Sequence, residues 1–185
     1  MLKLVRLVPV IFNFILMSAT TLYPNDALKS EILKAAGNSQ LLFDLQPKAY
    51  DLLLQKFKQE ALSNDPLTKL GEICKTYLDF GLTNPETYKL MFIPILDDSN
   101  AQVKLHGETD TRVYKYFMDC LETCIRRELT HFKRAEIGAL QIWSMMHGLV
   151  SLNIQSRISV IGIKRESLSD TLNKTVQDFL KTIKR

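Results

Sequence analysis

Histidine, cysteine and tryptophan are scarce in this chain, at three, three and one of 185 residues. Those shortages exclude several kinds of chemistry. His106, His131 and His147 fall in separate segments, with no paired carboxylate or thiol at the spacing a metal requires. The seven glycines are scattered, so no glycine-rich loop cradles a phosphate. Ser39, Ser144 and Ser151 lack the sequence around a nucleophilic serine. The sequence therefore offers no catalytic residue, no cofactor and no metal site, and an enzyme is a poor fit. Cys74, Cys120 and Cys124 are an odd set without metal spacing. They read as core thiols in a reducing cytoplasm.

A long apolar run is also missing. Leu7 to Met17 is interrupted by Asn13 and falls short of the roughly 20 residues of a membrane span. With Lys3 and Arg6 before it, this run has some features of a secretory leader, but no A-x-A site follows. The expectation is a buried first helix and no membrane partner, with a leader or anchor role for Met1 to Thr20 as the alternative. A net charge of +4 permits an anionic partner without demanding one.

Helical spacing of apolar residues is present almost throughout, and no convincing alternating strand appears. The fold class is all-α. A first helix runs to about Ala19, with Pro9 near its start. Asn25 or Asp26 can cap a second helix, Ala27 to Ala36, which Gly37 ends. Asn38-Ser39 caps a short third helix to about Leu45, and Pro47 opens a fourth over Lys48 to Leu62. Asp65-Pro66 and Asn84-Pro85 repeat the cap-plus-proline signal, for helices over Leu67 to Leu82 and on to about Phe92. Pro94 to Glu108 is irregular. Thr109 or Asp110 caps a long helix to about Lys133, another reaches about Ile154, and Ser167 caps the last, to about Ile183.

The stretch from Ala139 to Leu152, ALQIWSMMHGLVSL, is apolar nearly all round. Such a helix must be covered on more than one side, by its own domain, a second copy or a ligand. Trp143 and His147 lie four apart and share a face. Before it come Tyr77-Leu78-Asp79-Phe80 and Asn84-Pro85-Glu86-x-Tyr88-x-Leu90-Met91-Phe92. This ordered set, closed by Trp143-x3-His147-Gly148-Leu149, resembles the C-terminal domain of one branch of the TetR family of bacterial transcriptional regulators. The likeness covers about Leu67 to Leu152.

The N-terminal part has the spacing of a helix-turn-helix: Leu28 to Gly37, then Asn38 to Leu45. Ile32, Ala36, Gly37, Ser39, Phe43 and Pro47 match the TetR pattern. Leu33 stands where a small residue is usual, and one residue is missing between Gly37 and Phe43. No basic residue lies between Asn38 and Gln46, and Asp44 does. Base reading therefore falls to Asn38, Ser39 and Gln40, and phosphate contact to Lys29, Lys34 and Lys48. Residues 1–63 carry seven basic and five acidic side chains, a weak excess for a duplex binder.

Two units follow: residues 1–46 as a DNA-binding-like head, and 47–185 as an effector-binding and dimerisation domain. In the second, Tyr77, Phe80, Met91, Phe92, Tyr114, Phe117, Trp143 and His147 are the expected ligand-binding residues. Tyr88, Met118 and Met146 belong to the same concentration of aromatic and thioether groups. Rigid rings and flexible thioethers suit a mainly apolar effector, and a packed core is the alternative. Ile137, Leu140, Trp143, Leu149 and Leu152, with Leu168, Leu172, Val176, Phe179 and Leu180, suggest a four-helix homodimer interface. The resemblance implies a repressor that binds DNA as a dimer and is released by a small effector. The alternative is a ligand-binding or interaction protein on the same scaffold that has lost DNA binding.

Overall fold

The computed structural model describes residues 26–92, 109–164 and 167–185. The expected first helix and the irregular stretch from Pro94 lie outside the described residues. So does any leader role of Met1 to Thr20. Among the described residues the chain forms seven α-helices: α1 (Asp26–Lys34), α2 (Ser39–Glu60), α3 (Pro66–Thr83), α4 (Pro85–Phe92), α5 (Thr109–Arg126), α6 (Ala135–Ile154) and α7 (Leu168–Ile183). A 3-10 turn, Ile158–Ile161, stands between α6 and α7. The only extended pairing among them is one bridge, Thr130 to Lys184. None of these helices is long and apolar enough to cross a membrane.

Capping follows the sequence signals at Asn38 and Asp65, whereas Ser167 makes no side-chain cap bond at the last helix and Asn84 Oδ1 has no partner among the described residues. Asn38 Oδ1 accepts from the Leu41 amide at 3.0 Å, and Asp65 accepts from the Thr68 amide at 2.8 Å and from its hydroxyl at 2.6 Å. Gly37 takes φ +90°, the left-handed turn that a glycine after a helix supplies. Two helix limits differ from expectation. The helix expected to reach Lys133 stops at Arg126, because Glu128 turns left-handed at φ 55° and the Leu129 amide folds back to the Cys124 carbonyl. A polar stretch without glycine gives little warning of such a stop.

The second difference concerns Pro47. The expected break between a third and a fourth helix is absent: α2 runs unbroken from Ser39 to Glu60 with Pro47 inside. Proline within a helix costs about 3 kcal/mol relative to alanine, since it removes a donor and crowds the preceding turn. Burial on both sides offsets this, through Leu45, Ala49, Tyr50 and Leu53. The unit boundary expected at residue 46 therefore falls inside one helix.

One hydrophobic core runs from Leu28 on α1 to Ile183 on α7. Its central element is α3, which packs against α2, α4, α5, α6 and α7. That position suits its sequence, since Leu70, Ile73, Cys74, Tyr77, Leu78, Phe80 and Gly81 are all buried. By contrast α6 is covered on one side. Ile142, Met146 and Val150 face the core, whereas Ile137, Leu140 and Leu152 are 44%, 65% and 45% exposed. Part of the face assigned to a dimer on α7 is covered by the chain itself, because Leu172 and Val176 are buried. All three cysteines are free and buried, as core thiols should be.

Candidate ligand-binding site

The aromatic residues of α3, α4, α5 and α6 meet at one place. Tyr77 on α3 meets Tyr88 on α4 edge-on with ring centroids 5.8 Å apart, and Trp143 on α6 at 5.7 Å. Tyr114 and Phe117, one turn apart on α5, reach Trp143 at 6.0 and 6.3 Å. Phe92 closes on His147 at 4.5 Å and on Tyr88 at 4.9 Å. Tilted and edge contacts of this kind are the favoured arrangement of ring quadrupoles.

Close approach of α3 and α6 depends on Gly81. A Cβ there would overlap the side chain of Val150 and come within 3.1 Å of Tyr88. The short helix α4 carries Tyr88 and Phe92 one turn apart into the cluster. Its own end is held by α2: Gln46 Nε2 donates to the Leu90 carbonyl at 2.9 Å, and the Tyr50 hydroxyl to that of Met91 at 2.8 Å. The residue four on from Leu90 is Pro94, which has no N–H to offer that carbonyl.

Polar groups form a chain within the rings. The Tyr77 and Tyr88 hydroxyls lie 2.9 Å apart, and Tyr88 Oη lies 2.7 Å from His147 Nδ1. Tyr77 is more distant from that nitrogen, at 3.5 Å. Burial lowers the pKa of His147, which holds the imidazole neutral. Burial likewise pushes both tyrosines up, most strongly Tyr77. Hydrogen bonds from Tyr77 and Ser151 partly oppose this at Tyr88. These groups can order a polar atom within an apolar site; among the described residues no charged side chain joins them. No group of side chains among the described residues is suited to hold a metal.

The structure brings together Tyr77, Phe92, Tyr114, Phe117, Trp143 and His147. Phe80 and Met91 are buried one turn beyond Tyr77 and Tyr88, in the core. Tyr88, outside the expected lining set, is the hub of the polar chain. Its spacing gave a signal: Tyr88 is four before Phe92, and Ser151 is four after His147. Two surface grooves lie apart from the rings. One of about 460 Å³ runs between α3 and α7 past Gly71, Lys75, Val176 and Leu180. The other, of about 440 Å³, passes Pro85, Ile154, Ile158 and Leu168.

The expected DNA readers are placed differently. Asn38 caps α2, and Gln40 Nε2 donates to Asp44 at 2.9 Å. Lys48 is ion-paired with Glu31 at 2.6 Å. Lys34 is exposed near the turn and Lys29 is half-buried. Ser39 opens α2, but its side chain lies outside the described residues.

A model of the family described as tetracyclin repressor-like, C-terminal domain, matches residues 70–176, more than half of the chain. The chain belongs to that family. The tetracyclin repressor-like span starts in α3 and ends in α7, so it contains every ring of the cluster except Tyr50, which edges Phe92 from α2. The two N-terminal helices precede it. No curated protein matches the chain. Among solved structures, a protein of unknown function from Rhodococcus sp. RHA1 is similar, with a TM-score of 0.60. The two share 14% identity over 86% of this chain and 84% of that one, a likeness of fold alone.

Proposed function

We propose that this chain is a ligand-responsive transcriptional regulator of the TetR type, acting as a homodimer on DNA and released by a small, mainly apolar effector. The observation that carries the reading is the Tyr77–Tyr88–His147 chain of hydroxyls and imidazole inside a cage of rings. A few placed polar groups among aromatic walls are what a small-molecule site requires. The exposed apolar side of α6, through Ile137, Leu140 and Leu152, supports a second copy as its cover. The link from site to reading head is α4, which offers Tyr88 and Phe92 to the ligand and its last carbonyls to Gln46 and Tyr50 of α2. Only a ligand that fits one arrangement of these helices better than another can shift them.

A second reading, a ligand-binding or interaction protein without DNA binding, is favoured by one observation: Gln40 and Lys48 are both engaged by carboxylates. One titration separates the two. Fluorescence anisotropy at low salt against the DNA upstream of the coding region is expected to show binding that weakens steeply with salt. Lys48→Ala should make that salt dependence shallower by about one unit of log K against log salt. Glu31→Gln, which releases Lys48 from its partner, should tighten binding severalfold. Absence of binding at low salt by a folded dimer would leave the second reading as the account.

A further inference from the structure

We infer that the aromatic cage takes a neutral aryl ligand bearing a carbonyl-type acceptor, such as an aryl ketone, ester or amide, seated with its oxygen against Trp143 Nε1–H and His147 Nε2–H. The inference rests on the effector-site reading above and adds the chemical class of the effector.

Proton placement comes first. Among the described residues the buried Tyr77 hydroxyl has only Tyr88 Oη, at 2.9 Å, and His147 Nδ1, at 3.5 Å, to donate to, so its proton goes to the nearer oxygen, that of Tyr88. The single Tyr88 hydroxyl proton then points to His147 Nδ1, 2.7 Å away. An imidazole that accepts at Nδ1 and is kept neutral by burial carries its proton on Nε2. That N–H has no hydrogen-bond partner among the described residues, and neither has Trp143 Nε1–H. The two residues are four apart on α6, so both donors belong to one helix face. Both side chains are half-buried, so this face is not sealed within the core.

Charge comes second. Among the described residues no carboxylate, ammonium or guanidinium perturbs Tyr77, Tyr88 or His147; burial and uncharged neighbours account for all three. An anionic ligand would lose its water and find no cation among these neighbours, and a cationic one would find no carboxylate among them. A neutral acceptor meets two waiting donors at no such cost. The rings around them supply edge and face contacts for an aryl group.

Trp143 is the sole tryptophan, so a 15N-labelled sample of the full chain gives one indole N–H resonance. Acetophenone, ethylbenzene, benzoate and phenyltrimethylammonium serve as probes, with affinities from calorimetry. Acetophenone is expected to bind about tenfold more tightly than ethylbenzene, the factor that one or two neutral hydrogen bonds supply. It should also move the indole proton downfield. His147→Phe, which keeps a ring and loses the donor, should remove most of the preference, and His147→Gln, which keeps a donor, should retain part of it. Equal binding of acetophenone and ethylbenzene overturns the inference and leaves an apolar effector site standing. Tighter binding of benzoate or of phenyltrimethylammonium overturns it in favour of a charged ligand. Failure of all four to bind the folded protein counts against the site itself. The comparison of probes on the unaltered chain stands even if a variant does not fold.

Discussion

Gly81→Ala is expected to destabilise the chain, although the same exchange on an open helix surface is stabilising by about 1 kcal/mol. The sign reverses because of what lies opposite. A methyl at Gly81 meets both branches of Val150, one of them at 2.8 Å, and the Tyr88 ring at 3.1 Å. Val150 is fully buried on α6, so it cannot swing out to solvent. Overpacking of a filled core costs about 1–3 kcal/mol, so the net loss is up to about 2 kcal/mol after the helix gain is set against it. Val150→Ala on the Gly81→Ala background should recover much of that loss. The double-mutant cycle should then show a coupling of about 1–3 kcal/mol, read from chemical denaturation. A cycle without coupling between Gly81 and Val150 would mean that α3 and α6 do not approach as described.

The second large effect is expected where α2 holds α4. Gln46→Leu combined with Tyr50→Phe removes the donors to the Leu90 and Met91 carbonyls in a buried setting. A buried acceptor left without its partner costs about 1–3 kcal/mol, so the pair should cost roughly 2–6 kcal/mol. Tyr50→Phe alone deletes a single oxygen and keeps the edge contact with Phe92, so it isolates the smaller share. Because α4 bears Tyr88 and Phe92, the pair of substitutions should also loosen the link between the ring cage and α1–α2. Hydrogen exchange of α1 and α2 with and without a bound ligand reads this directly: protection that responds to ligand in the parent should respond less in Tyr50→Phe. An undiminished response, with α2 and α4 still folded together, would place the link elsewhere.

Much of the fold was legible because its signals are local. Asp65-Pro66 and Asn84-Pro85 mark helix starts that the structure places within a residue of expectation, and Asn38 caps as its position suggested. Pro47 misled for a physical reason. Proline is a good first-turn residue, and only the non-local burial of Leu45, Ala49 and Leu53 keeps α2 continuous through it. The centrality of α3 was hidden likewise. Its sequence is less uniformly apolar than that of α6, and only packing reveals that five helices surround it. At the candidate site the composition named most of the rings. The order of the polar chain was not readable, because Tyr88 and His147 are 59 residues apart and meet only once α4 crosses α6.

The measurement that tests the central claim most directly is thermal unfolding followed by Trp143 emission across a broad set of small aromatic and apolar compounds. Trp143 sits within the cage and is the sole tryptophan, so its emission reports the site and nothing else. A ligand present at a hundredfold its Kd adds about 2.7 kcal/mol, which for a chain of this size raises the melting temperature by about 5–10 °C. The account predicts that at least one class of compound does this in a concentration-dependent manner, shifts the Trp143 emission, and loses affinity in Tyr88→Ala. A folded protein whose melting and emission no compound moves would contradict it, and would make the rings of α3, α4, α5 and α6 a packed core.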